Sequence, residues 1–509
     1  KWVVKVKTKP HRLKARFTPK GYAQQYNVDY KETFAPVAKL VTLRIFLTLV
    51  AILGLATGQL DIKTAFLNAA LEEEIYCAPL HDHTSLLTSL FRTLKEGWQK
   101  TKVAEQIRAL RRGGVLLLKK AIYGLKQAPR QWWKRLSSFL ESLGFVPNKS
   151  DICFYVLHLS GGAYILLLLY VDDILLAGTS PEVVAHYTEL ISREFRVSAE
   201  GVISHYLGFD VRIDLAKHRV TLCMIAYIEK MFKRFRLVPK QSVDTPLPDG
   251  IMPALEAAEL ADDQFVQDFE YRQKIGCVLY LMICMRPDIC FAVGLLARYS
   301  NKVSRVAAAG VTRLLQYCYN TKDMLLVLGG TTAYIMAFCD ADWAGDRLTR
   351  RSTGAYILYL GLGPIDWGSK QHRLTAQSTA EAEYISLSAP ARAILWLRWL
   401  LHQTKIKSII TSYSSTIFTD STAAQAIAEN PLSSDRTKHI AIKYHFIRDL
   451  IIAGVITTEH VDTLLNVADM GTKVLSKRKF IPFADMAMGH APLVQPTKRQ
   501  KTEVSDEFV

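Results

Sequence analysis

Two adjacent aspartates end the longest uninterrupted apolar run of this 509-residue chain. Asp172 and Asp173 lie between the run Ala163–Val171 and a second, shorter run, Ile174–Ala177. Each run has the length of a buried strand, so the segment predicts two strands joined by a tight turn that carries both acids. Two carboxylates at such a turn repel each other and are costly to bury without a cation. The pattern therefore predicts either a solvated turn or a divalent-metal site.

A third acid favours the metal site. Asp61 ends another short predicted strand, Gln59–Asp61, and is followed by Lys63 and an apolar segment. A third carboxylate from a separate strand would complete a set that could hold a pair of Mg²⁺ ions, or Mn²⁺ in their place. Two such ions, about 3.5–4 Å apart, clamp the attacking and leaving oxygens of an in-line phosphoryl transfer.

Three motifs in this order carry a family resemblance. They are Gln59–Asn68 (QLDIKTAFLN), Ala121–Arg130 (AIYGLKQAPR) and Leu169–Leu175 (LYVDDIL). Together they resemble the reverse transcriptase of copia-type LTR retrotransposons, and the resemblance extends over nearly the whole chain. Because the chain begins at Lys1 rather than at Met, we expect a fragment of a longer Pol polyprotein.

The resemblance implies a right-hand polymerase with fingers, a ferredoxin-like palm and a thumb. Asp61, Asp172 and Asp173 would be its palm metal ligands. The residues that it implies for nucleotide binding are Lys14, Arg16, Phe66, Gly124 and Gln127. Phe66 would be the aromatic gate that excludes a ribose 2′-OH, and the alternative is a core phenylalanine. Lys14 and Arg16 would bind the triphosphate, and the alternative is a solvated basic strand.

A second set of acids occupies the C-terminal third of the chain. Its members follow predicted strands or begin helices, and they are Asp340, Glu383, Asp420 and Asp469. Glu381 competes with Glu383, because residues two apart differ by about 200° around a helix and only one can face a common site. We choose Glu383, which shares a helix face with apolar residues. Four acids from separate elements predict a second two-metal site, for hydrolysis.

The order and context of these acids resemble the ribonuclease H domain that follows the polymerase in copia elements. Trp367–Lys370 and Thr437–Ile440 are further matches. The resemblance implies cleavage of the RNA strand of RNA–DNA hybrids. His439 would assist the attacking water or the release of product, whereas a structural role is preferred for His445.

The fold class expected from these patterns is α/β (α+β) and multidomain, a right-hand polymerase followed by an RNase H-like α/β domain. The predicted units are 1–245 for the reverse transcriptase fingers and palm, 246–330 for the thumb or connection, 331–475 for the RNase H-like domain, and 476–509 for a basic, flexible tail. Residues 78–118 do not match the family pattern well.

Charge is consistent with a polyanionic partner. The 64 Lys and Arg exceed the 47 Asp and Glu, which gives a formal net charge of +17 and favours nucleic acid. The resemblance implies an RNA template, a DNA primer, an RNA–DNA hybrid and dNTPs, and an intracellular location in cytoplasmic particles or the nucleus. No run approaches the roughly 20 apolar residues of a membrane helix, so no membrane partner is expected. The sequence does not indicate an oligomeric state.

Two alternatives remain open from the residues alone. The chain could be a degenerate element copy that binds nucleic acid without polymerising, because Pro19 and the segment 78–118 depart from the family pattern. It could also retain only a metal-dependent nuclease at the C-terminal acids.

Overall fold

The computed structural model describes residues 2–8, 11–80, 82–240, 243–263, 270–409, 413–430 and 446–497. The strands are β1 (Trp2–Thr8), β2 (His11–Phe17), β3 (Ala56–Ile62), β4 (Ala70–Cys77), β5 (Leu116–Lys120), β6 (Val146–Asn148), β7 (Asp151–His158), β8 (Tyr164–Tyr170), β9 (Asp173–Gly178), β10 (Val197–Gly201), β11 (His205–Tyr206), β12 (Phe209–Asp214), β13 (Arg219–Cys223), β14 (Leu326–Gly329), β15 (Ile335–Asp342), β16 (Thr353–Leu360), β17 (Gly363–Gln371), β18 (Ser415–Thr419) and β19 (Ile456–His460).

The α-helices are α1 (Leu40–Leu53), α2 (His83–Thr93), α3 (Trp98–Arg111), α4 (Ala128–Ser142), α5 (Pro181–Glu194), α6 (Ile225–Arg234), α7 (Ile251–Leu260), α8 (Tyr271–Met285), α9 (Cys290–Ala297), α10 (Arg305–Asn320), α11 (Thr379–Gln403), α12 (Thr422–Glu429), α13 (Phe446–Ile452) and α14 (Lys477–Ala487). Strands and helices alternate through several packed units, which confirms the predicted mixed α/β class. None of the helices in these ranges is long and apolar enough to cross a membrane.

The first large sheet has six strands in the order β10-β3-β9-β8-β7-β6, all antiparallel. Its central strands β8 and β9 are nearly continuous apolar sequence because both of their faces are buried. Taken along the chain, β3, α4, β8, β9, α5 and β10 form the βαββαβ arrangement of a ferredoxin-like unit, as predicted for a palm. Helix α1 packs beside this sheet and is buried around most of its circumference.

Two hairpins precede and follow the first palm strand. β1 pairs with β2, and β4 pairs with β5. The chain between β4 and β5 forms α2 and α3, which pack on each other. The segment 78–118, which matched the family pattern poorly, is therefore a helical hairpin inserted between two paired strands.

The region after the palm combines a small sheet with a group of helices. This sheet has the order β11-β12-β13-β14, and β14 comes from the far end of the helical region α6–α10. The predicted boundary at residue 330 falls directly after β14.

The second large sheet has five strands in the order β17-β16-β15-β18-β19. β15, β16 and β17 are an antiparallel meander, and β18 and β19 run parallel to β15. Helix α11 packs across β15 and β16. Because β15 and β18 are parallel neighbours, their carboxyl ends meet at one edge of the sheet.

The prediction of a flexible tail is wrong for α14. Its first turn is basic, but Phe480, Phe483, Ala484 and Ala487 are buried at the spacing of a helix face. The ring of Phe480 lies 5.8 Å from that of Tyr317 in an edge-to-face contact. The prediction rested on the basic residues at the start of the helix and overlooked this apolar stripe, which packs the helix against α10.

Arg44 joins the palm to both later units. It lies on α1 and is buried. Its Nε donates to the carbonyl oxygen of Ile365 at 2.6 Å, and its guanidinium also donates to the carbonyls of Ile283 at 2.8 Å and Cys284 at 3.0 Å. The guanidinium stacks over the Trp367 ring, 4.2 Å from its centre. The side chain of this α1 residue therefore contacts both α8 and β17.

Candidate functional site

The first acidic site is built by pairing β3 with β9. Asp61 and Asp173 are direct cross-strand partners. Asp172 lies in the turn between β8 and β9, and its carbonyl accepts from the Ile62 N–H at 2.9 Å. Val171 adopts a positive φ of 57° in the same turn, and its carbonyl accepts from the Trp132 indole at 2.6 Å. The turn that carries both acids is thus fixed from the neighbouring strand and from α4.

The electrostatics of this site call for a cation. Burial, together with repulsion from the carboxylates of Asp172, Asp61 and Glu200, raises the pKa of Asp173 to about 7 against the lowering effect of Lys63. The Lys63 ammonium forms an ion pair with Asp61. Sequence reasoning did not assign a role to Lys63 or Glu200. Lys63 could have been found, because residues two apart on an extended chain point to the same side.

A basic cavity of about 730 Å³ lies beside these acids. Its lining includes Arg16, Lys63, Tyr123 and Arg196. The Arg16 guanidinium lies 4.9 Å from the centre of the Tyr123 ring, and the Tyr123 ring is 4.4 Å from that of Phe66. Phe66 is buried, at 9% exposure, and it lies behind Tyr123 rather than among the residues that line the cavity.

Two other residues predicted for nucleotide binding, Lys14 and Gly124, lie in β2 and in the turn before α4. Lys14 lies in β2, opposite Lys5 in the backbone register, and its side chain is outside the described part of the structure. Gly124 has a φ of +111°, and its carbonyl closely approaches Gly21, where a Cβ would come within 1.8 Å of the oxygen. The absence of a side chain at Gly21 therefore allows this close contact, and Gly124 has no room for a Cβ either, because one would lie 2.7 Å from the Pro19 carbonyl oxygen.

Gln127 is fully buried at the start of α4. Its Oε1 accepts from Gln24 Nε2 at 3.0 Å, and its Nε2 donates to the Asp29 carbonyl at 2.8 Å. Both ends of the amide are bonded to protein, so the side chain joins the segment before α1 to α4, and its nucleotide-binding role stays a prediction.

The second acidic site lies at the carboxyl edge of the five-stranded sheet. Asp340 is on β15, Asp420 directly follows β18, and Glu383 comes from the first turns of α11. One carboxylate oxygen from each of the three lies within 4.8 Å of the others. In the described ranges this is the one acidic group with that spacing, and the palm acids do not reach it.

The structure distinguishes the two glutamates of α11. Glu381 Oε2 accepts from the backbone N–H of Gln377 at 2.7 Å, at the amino end of the helix. Glu383 points inward, and its Oε2 is buried without a hydrogen-bond partner. The geometry therefore brings Glu383, and not Glu381, to Asp340 and Asp420.

The fourth acid approaches Asp340 from another side. Asp469 is fully buried in a short 3₁₀ helix, Val467–Gly471. Lys473 Nζ lies 2.8 Å from Asp469 Oδ1 and 3.8 Å from Asp340 Oδ2. The Thr472 hydroxyl donates to the same Asp340 oxygen. The sequence did not point to Thr472 or Lys473.

Burial and mutual repulsion raise the pKa values of these acids. Burial, together with the nearby carboxylates of Asp469 and Asp420, raises the pKa of Asp340 to about 7 against the lowering effect of Lys473. Burial and the carboxylates of Asp340 and Asp420 together raise the pKa of Glu383 to about 9. An all-oxygen donor set with an unpartnered buried oxygen fits a hard divalent cation such as Mg²⁺ or Mn²⁺. His439 and His445 lie outside the described residues.

The sequence of the chain matches known proteins over nearly its whole length. The family model for reverse transcriptase (RNA-dependent DNA polymerase) matches residues 1–83 and 103–249. The Pol polyprotein of transposon TNT 1-94 from Nicotiana tabacum is 32% identical over 486 residues, which is 94% of this chain and 35% of the relative. The Pol polyprotein of transposon RE1 from Arabidopsis thaliana is 33% identical, over 93% of this chain and 30% of the relative.

The chain belongs to the copia-type retrotransposon Pol family. It spans about a third of the length of these curated relatives. The reverse transcriptase match omits residues 84–102 of this Pol chain, which form most of α2 and the start of α3. A crystal structure of prototype foamy virus protease–reverse transcriptase aligns with 93% of the Pol chain and 51% of its own, at 12% identity and a TM-score of 0.22.

Proposed function

We propose that this Pol chain is an RNA-directed DNA polymerase with an attached ribonuclease H, and that it uses one acidic site for each reaction. The observation that supports this most directly is the pairing of Asp61 with Asp173 beside a cation-lined cavity, within the part of the chain that matches the reverse transcriptase family. The second acidic site, on a separate sheet, supports a second phosphoryl-transfer reaction.

In the polymerase reaction, the palm acids Asp61, Asp172 and Asp173 would hold two divalent ions. When bound, Mg²⁺ or Mn²⁺ neutralises charge on the reacting phosphate and stabilises the attacking and leaving oxygens. Arg16 and Arg196 line the adjacent cavity, where guanidinium groups suit the triphosphate of a dNTP. The primer 3′-OH displaces pyrophosphate from the α-phosphate, and no covalent enzyme intermediate is needed.

Phe66 is proposed to restrict the sugar of the incoming nucleotide. Its ring packs against Tyr123, which lines the cavity, so Phe66 would act by holding the Tyr123 ring where a ribose 2′-OH would meet it. A hydroxyl that loses water without gaining a hydrogen-bond partner is disfavoured. This role accounts for selection of dNTPs over ribonucleotides.

In the nuclease reaction, Asp340, Glu383, Asp420 and Asp469 would hold the metal ions. Glu383 Oε2 has no protein partner, so it is available as a ligand. The carboxylates orient water toward a phosphodiester of the RNA strand in an RNA–DNA hybrid. Such a hybrid is bound mainly through its shape and backbone, which agrees with the basic character of the chain.

The polymerase proposal is tested by primed dNTP incorporation on a homopolymer RNA template with Mg²⁺. We expect the Asp172→Asn, Asp173→Asn double variant to lose incorporation by at least about a hundredfold, the scale seen when a group stabilising transition-state charge is removed. Asp323→Asn, at an exposed position, should leave incorporation unchanged. Incorporation by the double variant at the parent rate would contradict the proposal.

A second candidate function is metal-dependent nuclease activity alone. One observation favours it: among the described residues, only Asp340, Glu383 and Asp420 bring their ligand atoms within 4.8 Å. Cleavage of an RNA–DNA hybrid that is lost in Glu383→Gln, together with no incorporation by the folded parent, would support this candidate over the polymerase.

A further inference from the structure

A lysine of the chain, Lys473, places its ammonium group beside two of the acids proposed for the nuclease site. Lys473 Nζ lies 2.8 Å from Asp469 Oδ1 and 3.8 Å from Asp340 Oδ2. Its side chain is 38% exposed, whereas those of Asp340 and Asp469 are 3% and 1% exposed. The ammonium therefore lies at the boundary between the buried acids and solvent.

The local backbone fixes this placement. Lys473 follows Asp469 by four residues, and the Thr472 N–H donates to the Asp469 carbonyl at 3.2 Å. The Asn466 amide donates to the Cys339 carbonyl at 3.0 Å, which attaches the start of the turn to β15. Thr472 bonds Asp340 directly. The lysine stem thus begins from a segment that is joined to the acids at several points.

The four acids divide into two sides around Asp340. On one side Asp340 meets Glu383 and Asp420 within 4.8 Å. On the other side it faces Asp469, and Lys473 lies between these two. A lysine ammonium and a divalent cation are attracted by the same carboxylate oxygens, so they compete wherever the oxygens are shared.

We propose that Lys473 is a built-in counter-ion that sets the divalent-cation affinity of the Asp340–Asp469 side of the nuclease site. Binding of a divalent ion on that side requires the ammonium to turn toward solvent, which its flexible four-carbon stem allows. The Glu383–Asp420 side contains no such competitor among the described residues and binds a divalent ion more tightly. This inference depends on the proposed function only in requiring that the acids bind divalent ions.

The test is calorimetric titration of Mn²⁺, without nucleic acid, into the full chain carrying Asp172→Asn and Asp173→Asn, so that the palm acids do not contribute to the measured binding; this protein is the parent in the comparisons below. Lys473→Met keeps the length of the stem and removes the charge. We expect its weaker Mn²⁺ site to bind about tenfold more tightly than that of the parent, a difference of about 1.4 kcal/mol. Lys473→Arg should stay close to the parent. Lys479→Met, at an exposed position on α14, should match the parent.

Two results would overturn the proposal. Unchanged Mn²⁺ affinity in a folded Lys473→Met protein would exclude competition, and weaker binding would mean that the lysine instead holds Asp469 in its ligand position. If Lys473→Met does not fold, as judged by circular dichroism, Lys473→Gln is titrated and decides between the same outcomes. If neither the parent nor any variant binds Mn²⁺, the metal site itself is wrong, a failure distinct from an unaltered affinity.

Discussion

At the residue scale, position on a helix decides which of two identical side chains becomes chemically unusual. Glu381 and Glu383 are two residues apart, yet one accepts a backbone hydrogen bond at the helix end and the other enters the acidic cluster. The 200° separation of such residues on a helix predicted that only one could face the site, and the apolar residues on the helix face of Glu383 favoured that residue. What the sequence could not provide is Lys473, because its approach depends on how a 3₁₀ turn packs against β15.

The raised pKa of Glu383 predicts a pH dependence of stability. Because the pKa of Glu383 is about 9 in the folded protein and the ordinary pKa of a glutamate carboxyl is about 4.5, the native state binds an extra proton between those values. In that window the free energy of unfolding of the metal-free protein therefore decreases as pH rises, by at most about 1.4 kcal/mol per pH unit for one group. Asp340, with a pKa of about 7, contributes in the same direction at lower pH.

Glu383→Gln removes this proton linkage and should flatten the decline. The measurement is thermal unfolding in EDTA at several pH values between about 5 and 9. Glu381→Gln, which leaves the cluster intact, serves as the matched control and should retain the parent's slope. Equal slopes for Glu383→Gln and the parent would show that Glu383 is not the group that titrates.

At the element scale, continuous apolar runs were the most informative part of the sequence. β8 and β9 lie where the runs around Asp172 predict them, because strands buried on both faces leave no polar alternation. Helix α4 begins at Ala128 with Pro129 in its first turn, where the missing N–H of proline costs no helical hydrogen bond. α2 has no fully buried residue, although Leu86, Leu87, Leu90 and Phe91 give its sequence an apolar stripe at helical spacing.

The helical hairpin α2–α3 is predicted to be dispensable for the fold. Cys77 and Leu116 are cross-strand partners on β4 and β5, so a short turn can join the two strands directly. We expect replacement of residues 79–114 by an Asn-Gly-centred four-residue turn to leave the thermal unfolding midpoint and dNTP incorporation close to those of the parent. The reverse transcriptase match, which omits 84–102, supports this expectation.

A matched control keeps the same excision but shifts the strand register by deleting Leu116 as well. A one-residue shift turns every side chain of β5 to the opposite face, so this variant should be destabilised. Loss of incorporation in the in-register excision, with the fold retained, would instead assign the helices a role in holding template or primer.

At the scale of the whole molecule, the contacts that join the units connect residues far apart in sequence. Arg44 bonds carbonyls 239 and 321 positions away, and Trp396 of α11 donates to the Ser150 carbonyl at 3.1 Å. Motifs predicted what each unit contains, because each motif is local. They could not predict these joints, since Arg44 hydrogen-bonds to backbone carbonyls and the carboxylate whose charge acts on it, Asp366, lies far away in the sequence, on β17.

Arg44→Met is predicted to weaken the attachment of the nuclease unit to the palm. Burial lowers the pKa of Arg44 to about 10, so its charge is maintained at neutral pH despite the loss of water. Its removal leaves the carbonyls of Ile283, Cys284 and Ile365 without their donor, and we expect a loss of about 3 kcal/mol in the free energy of unfolding. Arg193→Met, which breaks an exposed ion pair with Glu189, should cost less than about 1 kcal/mol.

The same pair of variants tests whether the two units unfold together. Because Arg44 contacts α1, α8 and β17, heat should inactivate polymerisation and hybrid cleavage at one temperature in the parent and in Arg193→Met. In Arg44→Met the joint is weakened, and we expect calorimetry to resolve two transitions, with the two activities lost at different temperatures. A single transition in Arg44→Met, displaced downward but undivided, would mean that the remaining contacts between α11 and the palm edge are sufficient to couple the units.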